Sequence, residues 1–134
     1  MSHIDPSAVI AAGAAIAEGA RIGAGCRIGP FCSIGPEVVL EEGVELVSHV
    51  VLDGATRIGA GCRILPFASI GTPPQDIKYK GEPTRCELGP RSLVREGVTI
   101  HRASVGGSGT TRVGAGCMLM AMAHVAHDCQ VGDG

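Results

Sequence analysis

The sequence predicts an all-β fold, a parallel β-helix of hexapeptide repeats with three hexads per triangular coil. Three observations predict it. An aliphatic residue recurs every six positions from Ile4 through Ile10, Ile16, Ile22, Ile28 and Ile34 to Leu40, Leu46, Leu52, Ile58, Ile64 and Ile70. A small or β-branched residue stands four places after nearly every one, as at Ala14, Cys26, Val38, Val50 and Ala68. Glycine often follows the aliphatic station directly, as at Gly23, Gly29, Gly35 and Gly59. A period of six fits neither the 3.6 of a helix nor the alternation of a hairpin array. It fits a coil in which each hexad forms one short face, with residues 18 apart stacked in ladders. Ile4, Ile22, Leu40 and Ile58 should form one such ladder.

Along the chain, stations 4 to 70 give the regular coils. The next stations would fall on Asp76 and Glu82. A charge cannot occupy that core unpaired, so residues 71–87 should leave the coil, at least in part, as a first projecting loop. The pattern resumes in phase at Leu88, Val94 and Ile100. Residues 102–112, rich in glycine, form a second break. The pattern then returns one residue out of phase at Val113, Leu119, Val125 and Val131. The chain reads as one domain, 1–134, with two loops on a rigid solenoid, where functional residues are expected.

Composition narrows the function classes. Apolar residues make up 45% of the chain, with no Trp, one Tyr and two Phe, so the core is aliphatic. The net charge of -2 excludes an ordinary basic nucleic-acid footprint. No apolar run reaches the length of a membrane span, and the first residues lack the basic and apolar regions of a signal peptide. The expectation is a cytoplasmic protein without stable membrane insertion. Five of the six cysteines occupy small-residue stations, where a thiol acts as a small buried hydrophobe. Arg27, Glu45 and Arg63 should form a plus-minus-plus ladder on one outer face. It is worth little energy if solvated, though it could serve as a docking strip for an acidic partner. The two lysines, Lys78 and Lys80, both lie in the first loop.

Of the five histidines, His3 is terminal and His49 belongs to a regular hexad. The run Ala123-His124-Val125-Ala126-His127-Asp128-Cys129 differs. Val125 is a core station, so His124 and His127 should face outward and crowd one patch with Asp128. A carboxylate beside an imidazole fixes its tautomer and raises its basicity, as a general base requires. Metal ligation and a purely structural histidine pair are competing readings. Zinc sites between subunits in γ-type carbonic anhydrases use histidines separated by four residues, whereas here the separation is two.

The loop Gln75-Asp76-Ile77-Lys78-Tyr79-Lys80-Gly81-Glu82-Pro83-Thr84-Arg85 resembles the first loop of the UDP-N-acetylglucosamine O-acyltransferases of lipid A biosynthesis. Val98-Thr99-Ile100-His101-Arg102 and the run from His124 to Cys129 resemble the same family. The resemblance implies a left-handed coil, an exception to the right-handed crossover rule. It implies transfer of a 3-hydroxyacyl group from acyl carrier protein to the 3-hydroxyl of UDP-N-acetylglucosamine, with no cofactor and no metal. It makes His127 the general base. Asp76, Lys78 and His124 match substrate-contacting positions, with Gln75 as a neighbour and His101 and Asp128 in support. It further implies a homotrimer with active sites between subunits. The family's chain is longer, adding coils and a C-terminal helical region, so this sequence matches the N-terminal portion. The alternatives are a zinc-dependent lyase of γ-carbonic-anhydrase type and a non-catalytic β-helix scaffold.

Overall fold

A computed structural model describes residues 3–134. Nineteen short strands and no helix occur among them, so no helix is long and apolar enough to cross a membrane. The strands fall into three parallel sheets of seven, six and six strands, each taking every third strand of the chain. This is the left-handed parallel β-helix. The predicted ladders hold: Ile4 pairs with Ile22, Ile22 with Leu40, and Leu40 with Ile58.

The inner column is aliphatic because only one residue per hexad points inward and nothing there can satisfy a polar group. Ile28, Ile34, Leu40, Leu46, Leu52, Ile58, Ile64 and Ile70 are at most 2% exposed. Each such side chain contributes about 1.5–3 kcal/mol by leaving water. Beside the corners, Ala20, Cys26, Val38, Val44, Val50 and Ala68 are fully buried. There a larger side chain would force the turn apart.

The loops are shorter than the sequence predicts. The strand Ser69–Thr72 runs past the start of the first loop and Arg85–Leu88 begins before its end, so only residues 73–84 project. Likewise the strands Thr99–His101 and Thr110–Val113 confine the second projection to 102–109. Both strand extensions gain ladder hydrogen bonds that a fully extruded loop would forgo. Ile58 pairs with Leu88, 30 residues on, and Leu88 with Val113, 25 on, against 18 in a regular coil. The insertions are thus twelve and seven residues. Twelve is a multiple of six and preserves the phase, while seven shifts it by one.

One expectation about the surface needs correction and another holds. Cys26, Cys32, Cys62, Cys86 and Cys117 are buried, but Cys129 is exposed. Burial pushes the Cys86 thiol up to about 12. Arg27, Glu45 and Arg63 form the expected ladder in register, with Arg63 and Glu45 ion-paired at 3.0 Å. Arg57–Glu41 and Arg112–Glu87 form similar half-exposed pairs, of small worth in water.

Candidate active site

Both loops leave the coil at one corner, where the chain passes from the third sheet to the first. The next turn at that corner is 126–129, between the strands His124–Val125 and Gln130–Val131. The candidate residues gather there because three successive turns are stacked.

His124 takes the outward position of its strand, opposite Thr99. Thr99 Oγ1 and His124 Nδ1 are 2.7 Å apart. His101 is turned inward. The pairing of Ser69–Thr72 with Thr99–His101 shifts at Gly71, so Thr72 rather than Gly71 faces His101. Gly71 has φ of 84°, and a Cβ there would collide with Thr56 Oγ1 and the Asp53 carbonyl. A bulge of this kind re-aims the following side chain. His101 is consequently 9% exposed, with its ring 4.7 Å from that of His124, edge to face. Its Nδ1 is buried without a hydrogen-bond partner among the described residues.

Burial holds the His101 pKa below the ordinary histidine value, and the nearby charges of His124 and His127 act in the same direction. The unfolded chain therefore binds a proton at His101 that the folded chain refuses. That difference lowers stability as pH falls below about 6.5, the ordinary histidine value, and is absent well above it. Urea unfolding at pH 7.5 and 5.5 should give a larger loss in the wild type than in His101→Gln. Equal losses would remove His101 as the cause.

His127 and Asp128 occupy the tight turn. His127 Nδ1 lies 2.8 Å from Asp128 Oδ2, the two side chains being 35% and 22% exposed. Asp128 has φ of 67°, and its backbone N–H donates to Thr111 Oγ1 at 2.9 Å. Thr111 is fully buried and so anchors the turn. Asp128 Oδ2 also accepts the Ser104 backbone N–H at 3.0 Å. On its other side Gly107 approaches so closely that a Cβ would strike Asp128 Oδ1. With Asp128 on Nδ1, the Nε2 of His127 is left as the acceptor, the tautomer a general base needs.

The first loop contributes Asp76. Its Oδ2 accepts the Ser104 hydroxyl at 2.5 Å and its Oδ1 accepts the Lys78 backbone N–H at 3.0 Å. The Ser104 hydroxyl, then the Lys78 N–H, hold the Asp76 carboxyl below the usual carboxylate range, with smaller help from the Lys78 and His127 charges. Gln75 and Lys78 are exposed and no side-chain hydrogen bond joins them to the histidines among the described residues. The base of the loop is held by Arg102. Its Nε donates to Tyr79 Oη at 3.0 Å, its Nη1 to the Gly71 carbonyl at 2.9 Å, and its guanidinium lies 5.6 Å from the Tyr79 ring centre. Tyr79 Oη donates in turn to the Glu82 carbonyl at 2.7 Å.

The structure thus joins Asp76, Asp128 and His127 in one hydrogen-bonded chain, with His101 and His124 beside it, and leaves Gln75 and Lys78 at the rim. Sequence reasoning missed Ser104, Thr111, Tyr79 and Arg102. The signal present was that Arg102 and Ser104 follow His101 where the repeat breaks. Among the described residues, no three His, Cys, Asp or Glu side chains converge as a metal-binding group. The cleft lined by Glu37, Asp53, Tyr79, Glu82, Thr84 and Arg102 lies on the other side of the first loop and contains none of the three histidines.

Comparison with known proteins is consistent with this architecture. The bacterial transferase hexapeptide (six repeats) profile matches residues 19–54. A solved UDP-N-acetylglucosamine acyltransferase is 43% identical, covering 97% of this chain and 48% of its own, with a TM-score of 0.82. LpxA from Acinetobacter baumannii is 45% identical, covering 97% of this chain and 48% of its own, with a TM-score of 0.81. LpxA from Bacteroides fragilis, described as a UDP-N-acetylglucosamine acyltransferase, is 39% identical, covering 98% and 49%, with a TM-score of 0.77. The chain spans about half the length of these proteins.

Proposed function

This chain is a relative of the UDP-N-acetylglucosamine acyltransferases, and from that kinship we propose that it carries the catalytic β-helix of an acyltransferase in lipid A biosynthesis. The reaction moves a 3-hydroxyacyl group from the thioester of acyl carrier protein to the 3-hydroxyl of UDP-N-acetylglucosamine. The observation that carries the reading is the His127–Asp128 pair, bonded through Ser104 to Asp76 of the first loop.

A sugar hydroxyl is a weak nucleophile at neutral pH. His127 Nε2 takes its proton as the oxygen attacks the thioester carbonyl carbon. The new C–O bond forms, the C–S bond breaks, and the departing thiolate receives the proton from the imidazolium. Asp128 keeps Nδ1 protonated and steadies the positive ring in between. The thioester is already activated, so a positioned base suffices without a covalent enzyme intermediate or a cofactor. Asp76 accepts hydrogen bonds from the sugar, and Lys78, Gln75 and His124 line its approach. His101, neutral and buried, backs the His124 ring.

The assembly is a homotrimer in which a neighbouring chain completes each site. The outward residues of the third sheet support this: Ala15, Ser33, Val51, Ser69 and Thr99 lead up to His124 with no charge among them. The other two sheets carry Arg21, Arg57, Glu87 and Arg112, or Arg27, Glu45 and Arg63, at the same positions. The adjoining corner exposes Phe31, Phe67 and Met122, with His49 between the two Phe rings at 5.2 Å from each.

The test is transfer from 3-hydroxyacyl carrier protein to UDP-N-acetylglucosamine, beside an acceptor bearing a free 2-amine, with sedimentation of the same sample. Ester product on the 3-hydroxyl from a trimeric species is expected. Amide product alone would replace this reading with N-acyl transfer.

A further inference from the structure

Ser104 is 1% exposed and stands between two carboxylates from different turns of the corner. Its hydroxyl donates to Asp76 Oδ2, 28 residues earlier, and its backbone N–H to Asp128 Oδ2, 24 residues later. Both contacts use the same residue, and the carboxylates would otherwise repel one another. The Asp128 contact needs only a main chain, so any residue but proline supplies it. The Asp76 contact needs a buried hydroxyl at this one place. A charge-assisted bond of this kind is among the stronger ones a side chain can make.

We infer that Ser104 is a positioning residue: it ties Asp76 of the first loop to Asp128 beside His127, and so sets where the acceptor sugar is held relative to the base. This rests on the roles given above to Asp76 and His127. The tie acts through Asp76, since Lys78 meets that carboxylate only by its backbone N–H from within the same loop. Arg102 and Tyr79 hold the loop's base. Ser104 alone joins the Asp76 side chain to the second loop by a hydrogen bond among the described residues. The low carboxyl pKa of Asp76, owed first to Ser104, agrees with this.

The experiment compares Ser104→Ala and Ser104→Thr, each alone and in an Asp76→Ala background. Losing a hydrogen bond to a charged partner predicts KM for UDP-N-acetylglucosamine raised roughly tenfold in Ser104→Ala. kcat should stay within about threefold, because the backbone bond to Asp128 survives. In the Asp76→Ala background Ser104→Ala should change nothing further. Carbon-detected NMR of the acceptor-free protein should show the Asp76 carboxyl titrating at higher pH in Ser104→Ala and near its original pH in Ser104→Thr. A folded Ser104→Ala protein whose Asp76 titrates as in the wild type would overturn the inference, as would effects that simply add. If Ser104→Ala does not fold, Ser104→Cys, which keeps the volume and donates weakly, takes its place. If the wild type transfers no acyl group, the functional reading fails, and the carboxyl titration still decides whether the tie exists.

Discussion

Replacing His127 by alanine is expected to lower acyl transfer about 10²–10⁴-fold, the usual worth of a positioned general base. On the proposed mechanism the loss falls on kcat rather than on KM for the nucleotide sugar, because that mechanism gives the imidazole only a proton in flight and leaves the sugar its proposed Asp76 contact. His127 is one-third exposed and sits in a turn whose backbone is held by Thr111 through Asp128. Its removal should therefore leave the thermal midpoint nearly unchanged. Single-turnover transfer with saturating acceptor measures the effect directly. A loss below about fivefold in a folded protein would mean another group takes the proton.

The largest expected effect on stability is at Ile58. It is fully buried and pairs with Leu40 on one side and Leu88 on the other. Ile58→Ala should cost about 2–5 kcal/mol, the transfer term plus an unfilled cavity. Set against a total of about 5–15 kcal/mol for a domain, that is a severe loss. Coils touch only their neighbours, so a weak coil in the middle divides the stack. Urea unfolding should lose sharpness or split into two steps. Ile4, which holds the same station but is 42% exposed, should cost well under about 2 kcal/mol on the same change. Equal losses at the two positions would contradict the nearest-neighbour picture.

The coil was legible because the chain writes its core position every six residues. Even the out-of-phase return at Val113 recorded the seven-residue insertion. The histidine run was legible as well, since Val125 fixed which neighbours face outward, and the structure places both His124 and His127 off the core. The loop boundaries were not, because the periodic signal stops before the hydrogen-bonded ladder does. Nor could period alone reveal that His101 turns inward, since that depends on a one-residue bulge at Gly71 in the preceding coil. The Ser104 bonds join residues 24 and 28 apart through two non-repeating loops. No spacing rule covers such contacts, which exist only once the turns are stacked. Cys129 satisfied the station pattern and is exposed all the same.

The stacking of 73–84, 102–109 and 126–129 at one corner separates inheritance of the fold from inheritance of the chemistry. Each insertion begins and ends at a bend, so the strand pairs on either side close over it as though nothing had been added. A lineage of such proteins can lengthen, shorten or exchange a turn here while the aliphatic column is passed on intact. On the proposed function, acceptor and donor preference would then drift without renegotiating stability. The same property makes this edge the natural graft point for redesign: new side chains can be introduced at three adjoining heights along one ridge, against a scaffold that does not need to be refitted.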